Sequence, residues 1–225
     1  MRPSVVLDMK RNAVREVVGR FRTANPRVFG SVLHGTDRDG SDIDLLVDAL
    51  PGATLFDLGG LQDELESLLG LHVDLLTPRR PAAEIPGQGA RGGAAGMSEN
   101  HRLPDYLDHI QQAAADACGF VEGLAKEDFL EDKRTQQAVI MSLIIIGEAV
   151  TKVMDRYAEF AQAHGQVPWR NMRGMRNRIA HGYFDINLDV VWDTVQAALP
   201  ELLKQLPAVR QDADDEDCND YGMEP

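Results

Sequence analysis

The sequence predicts an α+β fold in two domains: a small α/β sheet domain over residues 1–78 and an all-α four-helix bundle over 100–208. A flexible linker over 79–99 joins them, and an acidic disordered tail over 209–225 follows. Three observations carry this. Before residue 78, apolar runs of strand length alternate with stretches of helical periodicity. Residues 78–96 are dominated by Pro, Gly, Ala and Arg, with Ile85 the only large apolar side chain, and cannot bury a core. After residue 100 every long segment has helical spacing. A chain of 225 residues, 44% of them hydrophobic, is long enough for two small cores.

Taken in order, residues 8–23 place Val14, Val17, Val18 and Phe21 on one helical face, and Asn25-Pro26 reads as the stop of that helix. Strands are expected over 27–33, 43–47 and 72–76. Between the last two, Leu58, Leu61, Leu65, Leu68 and Leu69 define an amphipathic helix. In the second domain, helices are expected over 103–125, 132–163, 169–180 and 188–206. Asp105, Asn187 and Asp189 serve as N-terminal caps or first-turn acids, and Gly182 as a terminator. Short connections make these helices antiparallel neighbours. The linker reads as the join of two formerly separate genes, with Met97 the start of the second.

The formal charge of -13 argues against a nucleic-acid partner only until its distribution is considered. Seven of the 36 acids lie in the last fifteen residues, and without them the net charge is -6, so local clusters decide the question. The first residues contain no apolar core of signal-peptide length. The longest apolar run, 138–150, is interrupted by Ser142, Gly147 and Glu148 and falls short of the ~20 residues of a membrane span. Cys118 and Cys218 are too isolated for a disulfide framework. A cytoplasmic location is the expectation.

Two constellations carry chemistry. In the first, Gly30 lets a backbone approach phosphate closely, and the Ser31 hydroxyl and neighbouring N–H groups are donors for phosphate oxygens. Asp42 and Asp44, one residue apart on a strand, share a face, an arrangement that favours a cation between them. Asp74, in His72-Val73-Asp74-Leu75-Leu76, supplies a third carboxylate from another strand. Mg²⁺ held by these three acids would neutralise a nucleoside triphosphate, and Asp74 is also placed to accept the attacking hydroxyl's proton.

Gly30-Ser31, ten residues, Asp42-Ile43-Asp44 and the later Asp74 resemble the minimal nucleotidyltransferase pattern of the polymerase-β-like superfamily, across residues 1 to about 78. The resemblance implies transfer of AMP from ATP to a hydroxyl, with the three aspartates binding metal.

The second constellation is Arg176-Asn177-Arg178-Ile179-Ala180-His181-Gly182-Tyr183. Arg170, Arg173, Arg176 and Arg178 fall between Trp169 and His181 with no intervening acid. Arg173, Asn177 and His181 line one helical face, while Met172, Met175 and Ile179 form the apolar side, so the helix is expected to present a basic stripe tipped by His181. In an RNA-cleaving reading, His181 moves protons, Arg176 stabilises charge at phosphorus and Asn177 orients the imidazole. Arg176 and His181 are about 140° apart round an ideal helix. They meet on one phosphate through the reach of Arg, a distortion near Gly182, or a second copy of the site in a homodimer.

This octad, with Pro168-Trp169-Arg170, Ile146-Gly147-Glu148-Ala149 and Val191-Trp192, resembles the HepT-like branch of HEPN toxins over about residues 100–208. In HepT–MntA toxin–antitoxin pairs, the nucleotidyltransferase modifies the tyrosine of the Arg-x4-His-x-Tyr element with AMP. The resemblance implies the same for Tyr183 and a metal-independent endoribonuclease acting on RNA. Competing readings are an aminoglycoside-type nucleotidyltransferase, whose helices shape a drug pocket, and a catalytically inactive HEPN dimerisation module.

Overall fold

The computed structural model describes residues 1–78, 102–181 and 186–220. The 79–99 linker and Gly182–Tyr183 lie outside the described residues.

Helix α1 (Pro3–Arg20) begins five residues before the expected start, with Pro3 in its first turn and the Asp37 carboxylate accepting from the Ser4 N–H at 2.9 Å. That N–H holds the Asp37 carboxyl below its usual range. The helix ends at Arg20, so Asn25-Pro26 is not its stop. Both residues lie in strand β1 (Thr23–Val28), whose pairing slips between Ala24 and Arg27. Asn25 takes a positive φ there, and Pro26, which has no N–H to donate, is accommodated in this irregularity of an edge strand. The expected strand over 27–33 therefore ends at Val28, and Gly30–Leu33 forms a short helical turn, α2.

Strand β2 (Ile43–Ala49) runs through the middle of the sheet, antiparallel to β1 and parallel to β3 (Val73–Leu76). Its buried Ile43, Leu45 and Val47 alternate with half-buried residues, as period two requires. Helix α3 (Leu55–Leu69) bridges the parallel pair. A reciprocal Thr54–Asp57 capping box opens it, and Gly70, with φ +69°, closes it.

The second half contains α4 (Leu103–Phe120), α5 (Lys126–Glu131), α6 (Lys133–Arg156), α7 (Ala158–Ala163), α8 (Trp169–His181), α9 (Leu188–Asp193), a π-helical turn (Thr194–Ala198) and α10 (Leu199–Asp220). The four-helix pattern is present with breaks at Tyr157 and at the π turn. Asp105 and Asn187 cap as expected, accepting from the Arg102 and Asp189 N–H groups at 2.8 and 3.0 Å. The tail corrects the expectation of disorder from residue 209. Val209 and Ala213 are each 1% exposed on α10, and Arg210 pairs with Asp108 at 2.7 Å and Asp214 at 2.5 Å. By length and hydropathy alone α6 could span a membrane, which the expectation from the 138–150 run missed. Its Val139, Leu143, Ile146, Val150 and Val153 are nevertheless fully buried in the bundle.

One hydrophobic cluster runs through both halves. Their meeting point is the crossing of α3 and α8. A Cβ built on Gly59 would overlap the backbone of Asn171, Gly174 and Met175, and one built on Gly174 would overlap the backbone of Gly59. Backbone thus lies on backbone, which only glycine permits. Around the crossing, the Thr194 hydroxyl accepts from the Leu55 N–H at 2.8 Å, Arg173 faces Asp63 at 3.5 Å, and the buried Arg178 guanidinium donates to the Leu75 carbonyl of β3.

Candidate functional site

Gly30 has φ +64°, and a Cβ there would collide with the Asp44 carboxylate. The Gly-Ser turn is therefore moulded onto the central strand. The Ser31 N–H, expected to meet phosphate, donates to Asp44 in this state.

Asp44 on β2 stands directly across from Asp74 on β3. Asp42 and His72 each lie two residues earlier, on the same face as their strand partners. Burial first, then the carboxylates of Asp74 and Asp42, push the Asp44 carboxyl above its usual range, against the lowering effect of the Ser31 N–H. Asp44 and Asp74 line a cavity of about 210 Å³. Asp42 joins them through a second grouping: Asp42, His72 and Asp74 bring one donor atom each to within 4.8 Å of one another. The structure therefore gathers all three predicted acids on one face and adds His72.

The far wall of that cavity comes from the helical half. Arg178 and Ile179 of α8 line it, and so does Ile186, where the described chain resumes. Helix α8 is thus built into the carboxylate site and does not present a free basic stripe as expected. Of its four arginines, Arg173 turns to Asp63 and Arg178 to Leu75, while Arg170 is exposed.

Arg176 lies on the side of α8 facing α6. Its Nε donates to Glu148 Oε1 at 2.5 Å and its Nη1 to Asn177 Oδ1 at 3.1 Å. Gly147 makes the approach possible, since a Cβ there would overlap the Arg176 side chain. Asn177 thus accepts from Arg176; its expected partner, the His181 imidazole, lies outside the described side chains. His181 is the last residue of α8, its side chain lying outside the described ones, as does Tyr183. Glu148 and His72 are polar partners that stand in the segments quoted from the sequence but were given no role there. Glu148, the acid within the apolar run, was the available signal for the first. His72, two residues before Asp74 on a strand, was the signal for the second.

The chain's relatives divide along the same line. The nucleotidyltransferase domain family matches residues 10–87, and the family described as ribonuclease HepT-like matches residues 110–209. An inferred RNase of Caldanaerobacter subterraneus subsp. tengcongensis is 39% identical over 106 residues, 47% of this chain and 92% of that protein. A probable ribonuclease HepT of Thermococcus cleftensis is 37% identical over 115 residues, 51% of this chain and 100% of that protein. The protein adenylyltransferase MntA of the same organism is 40% identical over 62 residues, 28% of this chain and 63% of that protein. No solved structure matches the chain at a significant level. The chain belongs to the HepT-like ribonuclease family, with a nucleotidyltransferase domain joined ahead of the ribonuclease-like domain in one polypeptide.

Proposed function

We propose that this chain is a self-contained toxin–antitoxin fusion, in which the N-terminal half transfers AMP from ATP to Tyr183 and thereby silences RNA cleavage by the C-terminal half. The observation that carries the reading is the shared cavity: Asp44 and Asp74 form one wall, and Arg178, Ile179 and Ile186 form another. Tyr183 is three residues from Ile186, a chain reach of at most ~10 Å. That short tether to a residue lining the carboxylate cavity supports transfer within one molecule.

In this reading the Tyr183 oxygen attacks the α-phosphorus of ATP, the bond to the β-phosphate oxygen breaks, and pyrophosphate leaves. Asp74 accepts the phenolic proton. Asp42, Asp44 and Asp74 fit a divalent cation, because three carboxylates on one face repel each other and burial opposes the charge on Asp44. Mg²⁺ held there supplies charge neutralisation for the triphosphate. Gly30 keeps the backbone close enough for the phosphates to approach, and the Ser31 hydroxyl donates to them.

In the unmodified protein, Arg176 stabilises charge developing at the RNA phosphate while His181 transfers protons to or from the ribose and leaving oxygens. Glu148 and Asn177 fix the guanidinium in advance, so little ordering is needed at the moment of reaction. AMP on Tyr183 adds bulk and negative charge beside His181, which repels an RNA phosphate. A homodimer through the HEPN half is part of this reading. Met141 and Ile145, one turn apart on α6, are 56% and 40% exposed, an apolar pair on the helix that carries Glu148.

Intact mass spectrometry of the purified chain, with and without ATP and Mg²⁺, tests the proposal. The expected result is a gain of AMP mass that disappears in Tyr183→Phe. Transfer confined to an added aminoglycoside would overturn it.

A further inference from the structure

The imidazole of His72 lies among three carboxylates. Its Nδ1 is 3.8 Å from Asp42 Oδ1 and 3.8 Å from Asp74 Oδ1, and its Nε2 is 3.7 Å from Glu66 Oε1. The two sides of the ring differ in kind. Asp42, Asp74 and His72 are 57%, 46% and 44% exposed, so a solvated ion can reach the Nδ1 side. Glu66 is held from behind: its Oε1 accepts from the Val73 N–H at 3.2 Å and from Gln62 Nε2 at 3.4 Å.

A metal-bound imidazole is arranged in this way, one nitrogen on the ion and the other directed at an anchored carboxylate that fixes the ring. Neighbouring donors around a metal with bonds of ~2.1 Å are about 3.0 to 3.4 Å apart. The 3.8 Å spacings from Nδ1 need a contraction of about 0.4 to 0.8 Å, and the two aspartate donors, within 4.8 Å of each other, close to the same range by rotation of half-exposed side chains.

We propose that Asp42, His72 and Asp74 form a mixed nitrogen–oxygen site for a borderline divalent cation, with Glu66 as the positioning residue of the imidazole. Such a donor set favours Mn²⁺ over Mg²⁺, because Mg²⁺ gains little from exchanging a water oxygen for nitrogen, whereas transition ions bind imidazole well. Asp44, which the nucleotidyl-transfer reading also assigns to the ion, accepts from the Ser31 N–H in this state. The inference deepens the nucleotidyl-transfer reading by specifying the ion that the carboxylate face prefers.

The test uses the full chain and Mn²⁺ alone, with no nucleotide. Pulsed electron paramagnetic resonance of bound Mn²⁺ is expected to show coupling to a directly bound nitrogen, a readout that needs no variant. His72→Gln should remove that coupling and weaken Mn²⁺ binding by about 10-fold or more, with Mg²⁺ affinity, measured by competition, changing by less than about twofold. Glu66→Gln should retain the coupling and weaken Mn²⁺ to an intermediate degree. Bound Mn²⁺ without nitrogen coupling, equal losses of Mn²⁺ and Mg²⁺ in His72→Gln, or no Mn²⁺ binding at all would each overturn the inference. AMP transfer supported by Mg²⁺ with no nitrogen signal would sink this site and leave the nucleotidyl-transfer reading standing. A nitrogen signal without AMP transfer would support the site and tell against that reading.

Discussion

Gly59 of α3 and Gly174 of α8 meet with no side chain between them, so the nucleotidyltransferase and ribonuclease halves touch through their backbones. A glycine inside a helix costs about 1 kcal/mol relative to alanine. Here it permits an approach that any Cβ would forbid. Gly174→Leu should therefore destabilise the chain by ~3 kcal/mol or more, the upper end of overpacking penalties. Differential scanning calorimetry would measure the loss, and limited proteolysis should show the two halves separating. A shift in Tm indistinguishable from that of an exposed-site control would mean that α3 and α8 do not cross here.

In the proposed RNA-cleaving reaction, Glu148 acts through Arg176, whose Nε donates to its Oε1. Because the two are partly exposed, their ion pair adds little to folding, under about 1 kcal/mol. Its effect lies in orienting the guanidinium. In a Tyr183→Phe background, which removes the proposed AMP acceptor, Glu148→Gln should lower RNA cleavage by ~10-fold. Arg176→Ala should lower it by ~100-fold or more, the usual consequence of losing a donor to a charged transition state. Single-turnover cleavage of a labelled RNA would separate the two, and equal rates for all three proteins would remove Arg176 from the site.

Asp44 should show opposed effects on activity and stability. Its carboxyl is raised above the usual value by burial and by the two neighbouring aspartates. A group whose folded pKa is raised favours folding when protonated, so its stabilising contribution is present at low pH and is lost as pH rises through the folded value. Asp44→Asn should abolish AMP transfer, raise the Tm of the metal-free protein near neutral pH, and flatten the decline of stability as pH rises above the carboxylate range. A lower Tm at neutral pH would show that the hydrogen bond from Ser31 outweighs the repulsion.

How much of this was legible from the residues depends on whether the partner is local. Acids at Asp42 and Asp44 beside Ile43, Leu45 and Leu46 stand out because an apolar strand tolerates them only for a reason, and the sheet brings them to Asp74. His72 was hidden in plain view: the same period of two that aligns Asp42 with Asp44 aligns His72 with Asp74, but its value depends on Glu66 behind it. Pro26 was misread because a proline that stops a helix also fits an edge strand at a pairing slip. The tail was misread because seven acids outweighed the spacing of Leu202, Leu206, Val209 and Ala213, which continues one buried stripe along α10. Gly59 and Gly174 gave no sign of each other, since a close helix crossing needs two glycines whose separation in sequence carries no pattern.

Thr194 links the halves by a single hydroxyl. It is fully buried, accepts from the Leu55 N–H at 2.8 Å and donates to the Val190 carbonyl at 2.6 Å. It therefore caps the first turn of α3 from the other half of the chain, at the start of the π-helical turn. Thr194→Val preserves shape and removes both bonds, leaving the Leu55 N–H buried without this partner. An unsatisfied buried donor costs about 1–3 kcal/mol. Thr194→Ser keeps the hydroxyl and loses one methyl, about 1 kcal/mol of burial. Chemical denaturation should rank the wild type above Thr194→Ser and Thr194→Val last. Amide exchange at Leu55 should accelerate in Thr194→Val alone. If exchange there were unchanged, the hydroxyl would not be the cap, and the joint between the halves would rest on the glycine crossing, the shared apolar core, Arg173 and Arg178.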